Sequence, residues 1–158
     1  MKNTFKRSGA ALISLVLLLV LAVSAGAASS QNVGVKFWKE RSDKESMANS
    51  GIDPDRTATL TRQANGTYTL TLPVMQVSKL GVTGYLSGLT IGDVTYDGTL
   101  TGDFNKATAL LTIKNLPASV LTGSDVNKSV LVTCNIQMDL QVLGEINTSA
   151  RMCIWNQK

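Results

Sequence analysis

Residues 44–72 read KESMANSGIDPDRTATLTRQANGTYTLTL, and this stretch decides how the rest of the chain is read. It orders a short helical turn carrying Ser46 and Met47 ahead of two β-strands joined at Asn65-Gly66. Just upstream, Ser42-Asp43-Lys44-Glu45 has the form of a capping box, in which Ser42 accepts from a first-turn amide while Glu45 reaches back. Gly51 ends the turn, and Pro54 prevents its continuation. Residues 56–63 are threonine-rich with Ala58 and Leu60 on one face. Beyond Asn65-Gly66, a hairpin signal, Tyr68, Leu70 and Leu72 alternate with Thr67, Thr69 and Thr71.

Working outward, the alternation weakly predicts a first strand over residues 33–38. Glycines at 81, 84, 88 and 92 divide the next apolar runs, which predicts strands near 74–77, 80–87 and 89–96. Residues 97–105 read as a turn region with a short strand at Thr99-Leu100; another strand follows at 107–113, and 117–127 is a connection. The longest pattern comes last. Val130, Val132, Cys134, Ile136, Met138, Leu140 and Val142 share one face, and polar residues from Thr133 to Gln141 take the other. Gly144 marks a turn before a final strand over 147–155. Short strands at this spacing, with little helical periodicity, predict an all-β antiparallel sandwich or barrel.

Residues 1–28 have the form of a secretory leader: Lys2, Lys6 and Arg7, then an apolar run from 10 to 23, then Ser24-Ala25-Gly26-Ala27-Ala28. Its cleavage leaves one domain over 29–158, secreted or at the cell surface, with no membrane span. All three charged residues of the leader are basic, so the formal +4 falls to about +1 in the exported part. No concentrated basic patch remains for nucleic acid. The chain contains no histidine, which removes imidazole acid–base catalysis, a Ser-His-Asp triad and imidazole metal ligation together. Asp93, Asp97 and Asp103 sit beside glycines or in turns, where they serve turn chemistry. The expectation is a protein that is not an enzyme.

Cys134 and Cys153 are the only cysteines. An even count in an oxidising compartment favours a disulfide. The register argues the other way: a direct Cys134–Cys153 pairing sets Ile136 opposite Arg151, whereas matching the apolar faces separates the thiols. Both readings stand on the sequence.

These residues together resemble a near-transporter (NEAT) domain. The likeness begins around residues 35–38, is clearest in Ser46-Met47-Ala48, and continues through Asp53-Pro54-Asp55-Arg56-Thr57-Ala58 and the hairpin 65–72. Residues 150–154 are similar to the family's last strand. The resemblance covers most of the exported part and implies an immunoglobulin-like antiparallel β-sandwich of about seven to nine strands, with one short N-terminal helical turn. It also implies a Gram-positive surface module that binds haem or a haemoprotein in iron acquisition. Ser46 and Met47 match the lip over the haem face. Haem-binding members carry a Tyr-x-x-x-Tyr motif in the last hairpin, whose first tyrosine supplies a phenolate to ferric iron. Here Gly144 and Thr148 stand at those positions, and no tyrosine follows Tyr96. From the same hairpin Met138, Met152 or the cysteines reach toward the iron, although each also suits core packing. The expected groove set is therefore Ser46, Met47, Met138 and Met152, with haem as cofactor and no metal site built by the protein. Members without the tyrosine pair bind protein, so a protein partner is the other expectation. Two further readings come from different classes. A carbohydrate-binding sandwich would use Trp38, Tyr85, Tyr96 and Trp155, and a structural surface or matrix component would pair its long last strands edge to edge.

Overall fold

The computed structural model describes residues 28–79, 81–139 and 144–158. The expected leader, apart from its last residue, and positions 80 and 140–142 of the predicted strands lie outside the described residues. Among the described residues there are nine strands: β1 (Ser29–Lys39), β2 (Ala58–Arg62), β3 (Tyr68–Pro73), β4 (Val77–Lys79), β5 (Val82–Ile91), β6 (Val94–Thr101), β7 (Leu110–Leu116), β8 (Val130–Met138) and β9 (Glu145–Asn156). All their pairings are antiparallel. No described helix is long and apolar enough to cross a membrane.

The hydrogen-bonded order β5-β6-β7-β3-β2-β1-β9-β8 returns to β5, so eight strands close on themselves and β4 is added along the start of β5. Closure requires β5 to bend. Its residues Gly84 to Thr90 pair with β8, its end pairs with β6, and a register shift falls between Leu86 and Gly88. This corrects the strand boundary expected at Gly88. A Cβ there would lie 2.7 Å from the Tyr96 carbonyl oxygen, so the glycine permits close approach of two strands rather than a turn. The turn itself is Gly92-Asp93, with Ile91 opposite Val94 and Gly92 at φ +60°. Two other boundaries also move. Val74 forms only an isolated bridge with Ile52, and the strand expected from 74 starts at Val77. Thr99-Leu100 belongs to the full-length β6.

The hairpin at Asn65-Gly66 forms with Leu60 opposite Leu70. The Asn65 side chain accepts from the Thr67 amide at 3.0 Å, and Gly66 takes φ +83°. Inward positions of β2, β3, β7 and β9 pack a mainly aliphatic core, including Leu60, Leu70, Leu72, Leu111, Ile113 and Ile154, all fully buried. Each such side chain contributes roughly 1.5–3 kcal/mol through burial. Phe37 is the aromatic member of that fully buried set. Trp38, Tyr85, Tyr96 and Trp155, the aromatics of the carbohydrate-binding reading, are each partly buried, and Tyr96 packs against the core. Trp155 lies across the bare Cα of Gly34 on the outer face. The long strand β8 is paired on both sides, with β5 and β9, so it offers no free edge for the self-pairing of the structural reading.

Candidate functional site

Beyond Val33, β2 no longer accompanies β1, and the freed edge of β1 is taken up by residues 44–49. Lys39 donates to the Lys44 carbonyl, Trp38 bridges Glu45, and Ser46 donates to the Phe37 carbonyl. The helical turn that follows is a single 3-10 turn, Met47–Gly51, capped by Ser46, whose hydroxyl accepts from the Ala48 amide at 3.3 Å. The capping box expected at Ser42 is not formed as a helix start: Glu45 pairs instead with Lys36, and the Ser42 carbonyl accepts from Arg151. Asn49 secures the turn. Its Oδ1 accepts from the Phe37 amide at 2.8 Å and its Nδ2 donates to the Phe37 carbonyl at 2.7 Å. At the other end, Met75 donates to the Gly51 carbonyl and Asp53 to the Pro73 carbonyl. The turn is thus tied to both β1 and the end of β3.

This lip overhangs the open end of the barrel. Along β8 the inward face runs Val132, Cys134, Ile136, Met138, and along β9 it runs Ile146, Thr148, Ala150, Met152, Ile154. The deeper members of both series are packed in the core. Ile136, Met138, Ile146 and Thr148 instead line a groove of about 420 Å³ together with Met47, Ala48, Gly51, Val77, Val82, Gly84, Tyr85 and Leu86. Tyr85 and Thr148 are the polar side chains among these residues, and none is charged. Small-molecule pockets typically measure about 300–1,000 Å³ and are mainly apolar, which this one matches. Gly84 leaves room for the Met138 thioether: a Cβ on Gly84 would lie 2.8 Å from the Met138 sulfur. The Tyr85 ring packs against Phe104, with centroids 5.3 Å apart.

Of the residues expected at the groove, Met47 and Met138 line it, from the lip and from β8. Ser46 lies behind the lip with its hydroxyl committed to the cap. Met152 is fully buried, opposite Phe37 and Val130, and does not line the groove. It sits four residues deeper along β9 than Thr148, where the interior is already packed. Of the positions matched to the tyrosine pair, Thr148 is in the groove wall and Gly144 occupies the turn before β9 at φ +57°. The residues missed by sequence reading are mostly small or aliphatic. Ile136 and Ile146 follow the same alternation as Met138 and Thr148, which was the available signal.

Both cysteines are free and buried, so the disulfide alternative is not realised. Cys134 stands opposite Thr148, five residues short of Cys153, and points inward, where burial pushes its thiol up to about 12. Cys153 alternates to the outer face, and its thiol donates to the Asp125 carbonyl at 3.6 Å. Among the described residues, no group of three or more His, Cys, Asp or Glu is arranged to hold a metal ion.

No sequence-family model matches the chain, and no curated protein matches it. Its architecture does match solved structures. The NEAT5 domain of IsdX2, a B. anthracis hemophore in complex with heme, superposes with a TM-score of 0.53 at 10% identity, over 83% of this chain and 98% of that one. A mutant of the same domain, also in complex with heme, gives the same values. Identity this low speaks to the fold alone, and the fold of this chain resembles that of NEAT domains.

Proposed function

We propose that this chain is a secreted or cell-surface, non-enzymatic binding module whose groove takes haem, with residues 1–28 as its cleaved leader and 29–158 as its single domain. The observation that carries this reading is the apolar groove beneath the Met47–Gly51 lip, with Met47 and Met138 in its lining. Such walls suit the faces of a porphyrin, and the two solved neighbours both carry heme in their complexes. The donor set fits the iron differently from the family's pattern. With Thr148 in the wall and no histidine in the chain, the thioethers of Met47 and Met138 are the soft donors, one carried by the lip and one by β8. When bound, haem would supply an iron centre able to accept axial ligands; the protein supplies apolar cover, orientation and the two sulfurs.

A haem titration of the purified protein, followed by Soret absorbance, tests the reading. Saturation at one equivalent is expected, and Ile146→Glu, which sets a charge against the apolar wall, is expected to abolish it. A linear response unaffected by Ile146→Glu would end the proposal. A protein partner at the same mouth is the second reading. It is favoured by the exposed apolar rim, where Met47, Met75 and Ile146 are 59%, 42% and 44% exposed. A haemoprotein docking there would present its haem to the groove.

A further inference from the structure

We infer that the groove discriminates between the two oxidation states of haem iron and holds the ferrous form more tightly than the ferric. The inference rests on the haem reading above and extends it to the residues that set the preference. The lining offers no anion. Thr148 is an alcohol, which keeps its proton at any physiological pH. Tyr85 has its ring against Phe104 and alternates away from the inward positions Gly84 and Leu86. The remaining lining side chains are aliphatic or thioether. The nearest carboxylates along the chain are both exposed: Asp139, just beyond β8, accepts from Gln76 at 3.3 Å, and Glu145 is the first residue of β9, opposite Gln137. Solvent screens both.

Two physical effects then act in the same direction. Thioether sulfur is a soft, neutral donor that favours the softer reduced metal and raises the potential of a haem it ligates. The ferric centre also carries one more positive charge into walls with no counter-anion, which costs free energy that the ferrous centre does not incur. A phenolate would reverse both effects by supplying a hard anion; the position matched to the family's iron-bound tyrosine holds Gly144, and the one matched to its second tyrosine, in the wall, holds Thr148. Gly84 belongs to the same device, since its missing side chain makes space for the Met138 sulfur.

The test titrates the purified protein with ferric haem, with dithionite-reduced haem under anaerobic conditions, and with iron-free protoporphyrin. The expected result is ferrous affinity at least about tenfold above ferric, equivalent to a midpoint potential raised by about 59 mV for this one-electron couple. Met47→Leu and Met138→Leu retain apolar volume. Each is expected to shrink the preference for ferrous over ferric haem. Equal affinities for the two iron states, a ferric preference, or a ferrous preference untouched in both leucine variants would overturn the inference while leaving the groove as a porphyrin site. Failure of all three porphyrins to saturate would overturn the inference and the haem reading together.

Discussion

The carboxamide of Asn49 satisfies both backbone groups of Phe37 at once, accepting from its N–H at 2.8 Å and donating to its C=O at 2.7 Å. A side chain on the lip thereby stands in for a neighbouring strand along the edge of β1 that β2 has left. Replacing Asn49 with Ala leaves the Phe37 amide without that acceptor, and an unsatisfied buried donor costs about 1–3 kcal/mol. The expected outcome is a lower denaturation midpoint together with faster hydrogen exchange at the Phe37 amide. An unchanged midpoint would mean that the lip is held by its other ties alone.

Thr148 sits half-buried in the groove wall, and the sequence resemblance sets it against the second tyrosine of the NEAT pattern. Thr148→Tyr is expected to raise affinity for ferric haem by about tenfold or more, roughly 1.4 kcal/mol, through a phenol directed at the groove. Difference spectra of the ferric complex would report it. Gly144→Tyr is expected to gain less, because φ +57° at that turn is strained for any residue with a Cβ. If Thr148→Tyr leaves ferric affinity unchanged, this wall does not face the iron.

Two glycines at the groove make contrasting predictions. Gly84→Ala puts a methyl group against the Met138 sulfur and the Gln137 carbonyl, where a Cβ would meet atoms at 2.8 and 2.9 Å. The sulfur can move, but the backbone oxygen belongs to the ladder, so a loss of about 1–3 kcal/mol is expected, with weaker haem binding. At Gly51 the nearest atom to a new Cβ is a Val77 methyl at 3.9 Å, and Gly51→Ala is expected to change stability by about 0.5 kcal/mol or less. Chemical denaturation of both variants checks the pair.

The buried Cys134 thiol couples stability to alkaline pH. In the unfolded chain it ionises near its ordinary value of 9.0, whereas the folded protein keeps the proton until about 12. Between those values the unfolded chain has shed a proton that the folded one retains, so stability falls as pH rises, by about 1.4 kcal/mol per unit from this group. Cys134→Ala is expected to flatten the profile over that window, read as the difference between the two proteins. The same burial keeps Cys134 from alkylation at pH 8 until the protein unfolds.

Much of this fold is legible in local patterns. The Asn65-Gly66 hairpin, the alternation through Tyr68, Leu70 and Leu72, and the inward series of β8 are short-range features whose period names the strand and its buried face. Gly88 and Gly98 mislead for a physical reason: they read as punctuation, yet each serves the close passage of neighbouring strands at a bend, which only the closed sheet reveals. The start of the lip shifts from Ser42 to Ser46 because Glu45 has a longer-range partner in Lys36, absent from any local capping rule. At the site, Met47 and Met138 can be picked out as sulfur-bearing residues flanking a hairpin and a turn. Met152 shares their chemistry and the inward alternation, and only depth along β9 separates core from groove. Period two specifies a face, whereas depth is set by where the opposing strands stop.

The most direct measurement of the central claim is an amide NMR titration with zinc protoporphyrin, a diamagnetic stand-in for haem. One-to-one saturation is expected, with shifts concentrated at residues 47–51, 84–86, 136–138 and 146–148. Shifts centred on the outer threonine-rich face of β2 and β3, or no saturable shifts at all, would contradict it.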